Sequence, residues 1–181
     1  MTRDRKRSPC LIVGLTALAV AATGCDAARE TAAEVTAKCT REAMYTPEVI
    51  DRKLFVESAD NVFVGHVERK TGQHVENKEL YSLFDVKVIQ NLKGNLAGTV
   101  TVSQIGGSIF GKQCLLNNDP ALVENATYIF TTHYSKNIDT HFIAAADYGD
   151  VRLTDADVTA LTSGGPEPRI VAEFRAAINK T

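Results

Sequence analysis

Three β-like runs set the pattern of apolar and polar positions in this chain. NVFVGHVERK (61–70), YSLFDVKVI (81–89) and GTVTVSQI (98–105) are rich in β-branched and aromatic residues, with Gly, Asn and Lys turn signals between them. In the third run Thr99, Thr101 and Ser103 alternate with Val100, Val102 and Gln104, the period of a strand with one wet face. The second puts Phe84, Val86 and Val88 on one face and Asp85 and Lys87 on the other, with Leu83 and Ile89 as exceptions. Further along, residues 127–134 and 140–146 read as two strands joined by a turn at 135–139, and 151–153 as a short closing strand. The pattern predicts an antiparallel β-domain.

Helical signals flank these runs. Thr46-Pro47-Glu48 combines a capping hydroxyl, a proline at the first helical position and an acid in the first turn, so a helix is expected over 47–58. Its Val49, Ile50, Leu54 and Phe55 fall on one side, which would pack on the sheet. A short helix over 155–161 has Thr154 as its cap, and an amphipathic helix over 169–179 gathers Ile170, Val171, Phe174 and Ile178. Residues 68–79 read as a charged connection, 93–98 as a turn, and 106–125 as a long Gly- and Asn-punctuated loop. A loop of that length inside a compact domain is usually functional or pinned.

The N-terminus changes the picture from a fold to a location. Arg3, Arg5, Lys6 and Arg7 precede an apolar core at 11–22, too short to span a bilayer, which needs about 20 apolar residues. It ends in Ala22-Thr23-Gly24-Cys25, which resembles the lipobox of bacterial lipoproteins, with Ala22 where Leu, Val or Ile is usual. The resemblance implies cleavage before Cys25 and acylation of that cysteine, an anchor of about 0.8 kcal/mol per buried methylene. The alternative is an ordinary secretory signal. Losing residues 1–24 removes four of the 20 basic and one of the 22 acidic side chains, taking the formal net charge from −2 to −5. An acidic chain with no basic run argues against nucleic-acid binding, which depends on neutralising phosphates.

With Cys10 in the signal and Cys25 lipidated, Cys39 and Cys114 remain. In an oxidising compartment two thiols read as a disulfide, with two separate buried thiols as the alternative. A bridge closing a loop of roughly 75 residues would contribute about 4 kcal/mol in the chain-entropy picture. There is no C-x-x-C, so a thioredoxin-type or zinc-knuckle role has no support.

Ala59-Asp60-Asn61-Val62-Phe63-Val64-Gly65-His66-Val67, the Phe84-x-Val86-x-Val88 strand leading to Leu92-Lys93-Gly94, Cys114 in the long loop and Tyr128-Ile129-Phe130 together resemble the family of tissue inhibitors of metalloproteinases and netrin modules. The likeness is greatest to its bacterial members and runs from about Cys39 to Leu153. It implies an OB-type five-stranded barrel with Cys39 bridged to Cys114. The animal inhibitors act through a free N-terminal Cys-x-Cys that chelates the protease zinc. Here Lys38-Cys39-Thr40-Arg41 has a single, internal cysteine, and fold alone does not carry function.

Catalytic signals are sparse. If the hairpin turn centres on Asn137, His133 and His141 face each other across the strands, close enough to share a metal with Asp139 as third ligand. Exposed hairpin histidines are common, and the expectation is no metal and no cofactor. His66 reads as a strand-face residue and His74 as solvated. Ser103, Ser108 and Ser135 lack an elbow motif, and Gly106-Gly107-Ser108 has no helix after it to make a phosphate nest. Asp147, Asp150, Asp155 and Asp157 read as turn and cap residues.

The expected protein is mainly β with flanking helices (α+β): a five-stranded OB-like antiparallel barrel, one helix before the first strand and one at the C-terminus. A signal peptide (1–24) and a lipidated tether (25–38) precede a single domain over 39–181. The expected role is a non-enzymatic, membrane-anchored extracytoplasmic module that binds a protein or cell-envelope partner. The alternatives are an inhibitor of secreted proteases and a metal-dependent envelope enzyme built on His133 and His141.

Overall fold

The computed structural model describes residues 52–77, 79–109, 112–115, 119–144 and 148–179. Among the described residues the fold is mainly β, with three helices. In chain order the elements are α1 (Arg52–Ser58), β1 (Asn61–Glu76), β2 (Glu79–Lys93), β3 (Thr99–Ile105), β4 (Gly107–Ile109), β5 (Lys112–Cys114), β6 (Thr127–Ser135), β7 (Thr140–Ile143), β8 (Asp150–Arg152), α2 (Asp155–Thr162) and α3 (Arg169–Ile178). The expected helix start at 47–51 lies outside the described residues, as do Cys25 and Cys39.

A six-stranded sheet runs β1-β2-β3-β7-β6-β8, and β1 also pairs with β6. The pairings β1-β2-β3-β7-β6 therefore return to β1 as a ring. β1 and β8 both pair with residues 128–130 of β6, so they occupy its opposite edges. The antiparallel expectation fails at one seam: β3 and β7 run parallel, with Val102 opposite His141 and Ser103 opposite Phe142. Parallel neighbours need a long crossover, and the chain between β3 and β7 supplies one. That stretch is not all loop, because β4 and β5 form a separate two-stranded sheet within it.

The charged stretch at 68–79 is also strand rather than connection. β1 continues to Glu76 and β2 starts at Glu79, with Asn77 in the left-handed region at φ 51°. Beyond Val67 the strand leaves the core, so its side chains are exposed or half-buried on both faces and the apolar alternation is lost. Four register shifts between Val62 and Gly72 bend β1 as it follows the ring. Gly65 sits at one of them. A Cβ there would lie 2.5 Å from Val86 Cγ1 and 2.9 Å from the Phe63 ring, so the bend has room only for glycine.

Two apolar layers result. Phe63, Val67, Phe84, Val86, Val102, Leu122, Tyr128 and Phe130 form one cluster, with Phe63 and Phe130 rings 5.3 Å apart. Val62, Val64 and Ile129, alternating with these along β1 and β6, pack instead with Val56 of α1 and Val171 and Phe174 of α3. Full burial of each such side chain stabilises by roughly 1.5–3 kcal/mol. α1 and α3 are further joined by Arg52, which lies 4.7 Å above the Phe174 ring and pairs with Glu173 at 2.8 Å. Lys93 Nζ donates to the carbonyls of Val56 and Glu57, completing the end of α1. α2 starts with a capping box between Thr154 and Asp157, as its sequence predicts. Hydrogen bonds from Thr154 hold the Asp157 carboxyl below its ordinary pKa.

Candidate functional site

The two ends of the strand ring differ in what fills them. At one end residues 119–126 cross over the interior. Gln104 points inward there and is only 3 % exposed. Its Nε2 donates to Asp119 Oδ2 and to the Pro120 carbonyl, both at 3.0 Å, and its Oε1 accepts from Leu122 N at 2.9 Å. Tyr128 OH accepts from Val123 N, and Val67 and Ala126 join the segment to β1 through the main chain. This end is closed.

The opposite end gathers the start of β1, the β2–β3 turn and the β6–β7 turn. Here a cleft of about 470 Å³ is lined by Asp60, Asn61, Leu96, Tyr134, Lys136, Asp139 and His141. Asp60 Oδ2 accepts from the Tyr134 main-chain N–H at 2.8 Å, and Asp139 Oδ1 accepts from the Tyr134 hydroxyl at 2.6 Å. One tyrosine thus positions both carboxylates. That hydroxyl bond also raises the Tyr134 pKa. His141, 6 % exposed, lies across from Tyr134 with ring centroids 4.9 Å apart, and its Nδ1 has no hydrogen-bond partner. Burial lowers the pKa of this imidazole, and Asp139 and Asp60 partly offset the effect.

The expected His133–His141 pair is not formed. The turn spans 136–139, so His133 pairs with Phe142 and Tyr134 with His141. A slip of one residue turns a side chain to the other face. His133 is therefore exposed, with Nδ1 3.8 Å from Asp60, whereas His141 is buried in the cleft. Asp139 serves Tyr134 rather than a metal, and among the described residues no group of three or more His, Cys, Asp or Glu side chains is placed to hold an ion.

The remaining sequence candidates are dispersed. His66 Nδ1 is 3.2 Å from Thr127 Oγ1. His74 is not solvated as expected: it stacks on Tyr81 at 5.2 Å, edge-on to Phe142, and neither ring nitrogen has a hydrogen-bond partner. Tyr81 donates to Glu79, and burial together with that carboxylate raises its pKa. Ser103 is buried in β3. Ser108 gives its main-chain N–H to Gln73 Oε1, so the Gly106-Gly107-Ser108 segment is spent on pairing and not on an anion nest. Cys114 is buried beside Leu80 and is disulfide-bonded; Cys39, its expected partner, lies outside the described residues.

Asp60, Tyr134 and Lys136 were not singled out by sequence reasoning. Asp60 is remote in the chain from Tyr134 and Lys136 and meets them only because β1 begins, and β6 ends, at the same end of the ring. No protein-family model matches this chain, and no curated protein matches it.

Proposed function

We propose that this protein is an extracytoplasmic lipoprotein, anchored through acylated Cys25, whose OB-type five-stranded barrel is a non-enzymatic binding module for a protein or cell-envelope partner. The returning order of pairings, with β3 parallel to β7, supports the barrel reading, and β8 is then an addition to it. The similarity to the inhibitor and netrin family described above agrees with it, and on this reading the disulfide partner of Cys114 is Cys39. The single observation that carries the binding role is the inequality of the ends: one is sealed by its own chain, and the other opens as a polar, aromatic-rimmed cleft. Concave sites with a few convergent polar groups are the usual places for ligands. Tyr134 and Ile138, 39 % and 41 % exposed, give that rim the apolar surface a partner would cover.

A photo-reactive amino acid placed at Ile138 in the full-length chain in cells should cross-link a partner. The same group at Val123, 46 % exposed at the sealed end, should not. Equal capture at both positions, or none at Ile138, defeats the proposal. Mass spectrometry of the mature N-terminus tests the anchor: an unmodified first residue removes it.

A further inference from the structure

The open cleft carries charges of both signs. Asp60 and Asp139 bring carboxylates, each engaged by Tyr134 through one oxygen, and a carboxylate offers about four acceptor sites in all. Tyr134 holds these groups with neutral donors, which position their charge without cancelling it; the other side chain beside Asp60 is His133, with Nδ1 3.8 Å from its Oδ2. Lys136 lies on the same cleft, is exposed, and forms no ion pair among the described residues.

His141 supplies the second line of argument. It is more than nine-tenths buried, lines the cleft, and has Nδ1 sealed away without a partner. An orphaned acceptor costs less than an orphaned N–H, so the neutral tautomer with its proton on Nε2 is the favoured one. That leaves an N–H donor as the polar group the ring can offer to an occupant of the cleft. The cleft thus joins two carboxylates with two donors, Lys136 and His141, around the ring of Tyr134.

We infer that this cleft binds an α-amino-acid head group, an ammonium and a carboxylate on one carbon, with the ammonium toward Asp60 and Asp139 and the carboxylate toward Lys136 and His141. The inference rests on the binding-module reading and names the chemistry its open end recognises. A volume of about 470 Å³ exceeds such a head group, so the remainder of the ligand has space. A free amino acid meets the requirement, and so does the free end of a diamino acid in a cell-wall peptide.

The test is calorimetric titration of the full-length lipidated chain in detergent micelles. The probes are L-alanine, D-alanine and a tripeptide whose terminal diamino acid keeps one free α-amino-acid end. Each is compared with its N-acetylated and its amidated form. Blocking either charge should weaken binding severalfold, because the opposite charge it faces in the cleft, Asp60 and Asp139 on one side or Lys136 on the other, loses its partner. Lys136→Gln should erase the preference for acid over amide while leaving the preference for free over acetylated amine, a split that a merely structural lysine would not produce. Tighter binding of the tripeptide would identify the wall as the source, and tighter binding of an alanine would identify a free metabolite. Equal binding of the blocked probes, or saturable binding of none, overturns the inference. If cross-linking at Ile138 persists in that case, the binding-module reading stands without it.

Discussion

At the sealed end of the strand ring, the polar side chain of Gln104 enters the interior and is met by others from the same chain. Gln104 alone contacts Asp119, Pro120 and Leu122 through both halves of its amide. At the open end Tyr134 holds two carboxylates by one oxygen each, Lys136 is unpaired among the described residues, and His141 keeps a nitrogen without a partner. The same strands build both ends, so the difference lies in hydrogen-bond completion. A finished network adds rigidity, and an unfinished one leaves capacity for something else. On the proposed reading, one end is built to stay and the other to receive.

Four measurements can break or sharpen that contrast. Phe130→Ala removes a ring that is fully buried between the two ends. It should lower unfolding free energy by about 3–5 kcal/mol in urea titrations and disturb both ends alike. Gln104→Leu should cost about 2–3 kcal/mol, because the Leu122 N–H and the Pro120 carbonyl lose their buried partner. It should leave cross-linking at Ile138 intact; if stability does not change, the sealed end is not the structural one.

The third measurement concerns pH. Burial holds His141 below its ordinary value of 6.5, so in acid the unfolded chain binds this proton more readily than the folded one. The stability that neutral His141 contributes is complete above about pH 7.5, declines as pH falls through the unfolded value, and levels off below the folded one. Urea midpoints for the wild type and His141→Gln should therefore converge in acid, all other groups being shared; parallel curves would refute the assignment. Smallest in stability is Asp139→Asn. Asparagine accepts the left-handed backbone found there (φ 49°), so the change should stay within about 0.5 kcal/mol while weakening the free-amine probe severalfold in calorimetry.

The legible parts of the sequence are those with a run of β-formers or a local boundary signal. β3 and β6 lie where their β-branched and aromatic runs put them, but β3 does not keep the expected wet face, because Ser103 is buried; α2 and α3 sit where Thr154 and the 170/171/174/178 stripe put them. The far ends of β1 and β2 are not legible, because β1 turns polar on both faces once it passes Val67 and the start of β2 pairs with that part. The β4–β5 pair was missed because three-residue strands have too few positions to show a period. The candidate site was mostly illegible. Asp60, Leu96 and Tyr134 share no motif and become neighbours through topology alone. His141 is legible as a candidate but its companion is not: the turn centre lies half a residue beyond Asn137, which puts Tyr134 opposite it in place of His133.

Around the hoop of strands, neighbours are fastened along their length except where β3 touches β7, a weld of only two residue pairs, with His141 in one of them. Thermal breathing starts where fewest bonds must part. The place where this domain loosens first is therefore beside its open mouth, and a guest lodged there would act as a rivet.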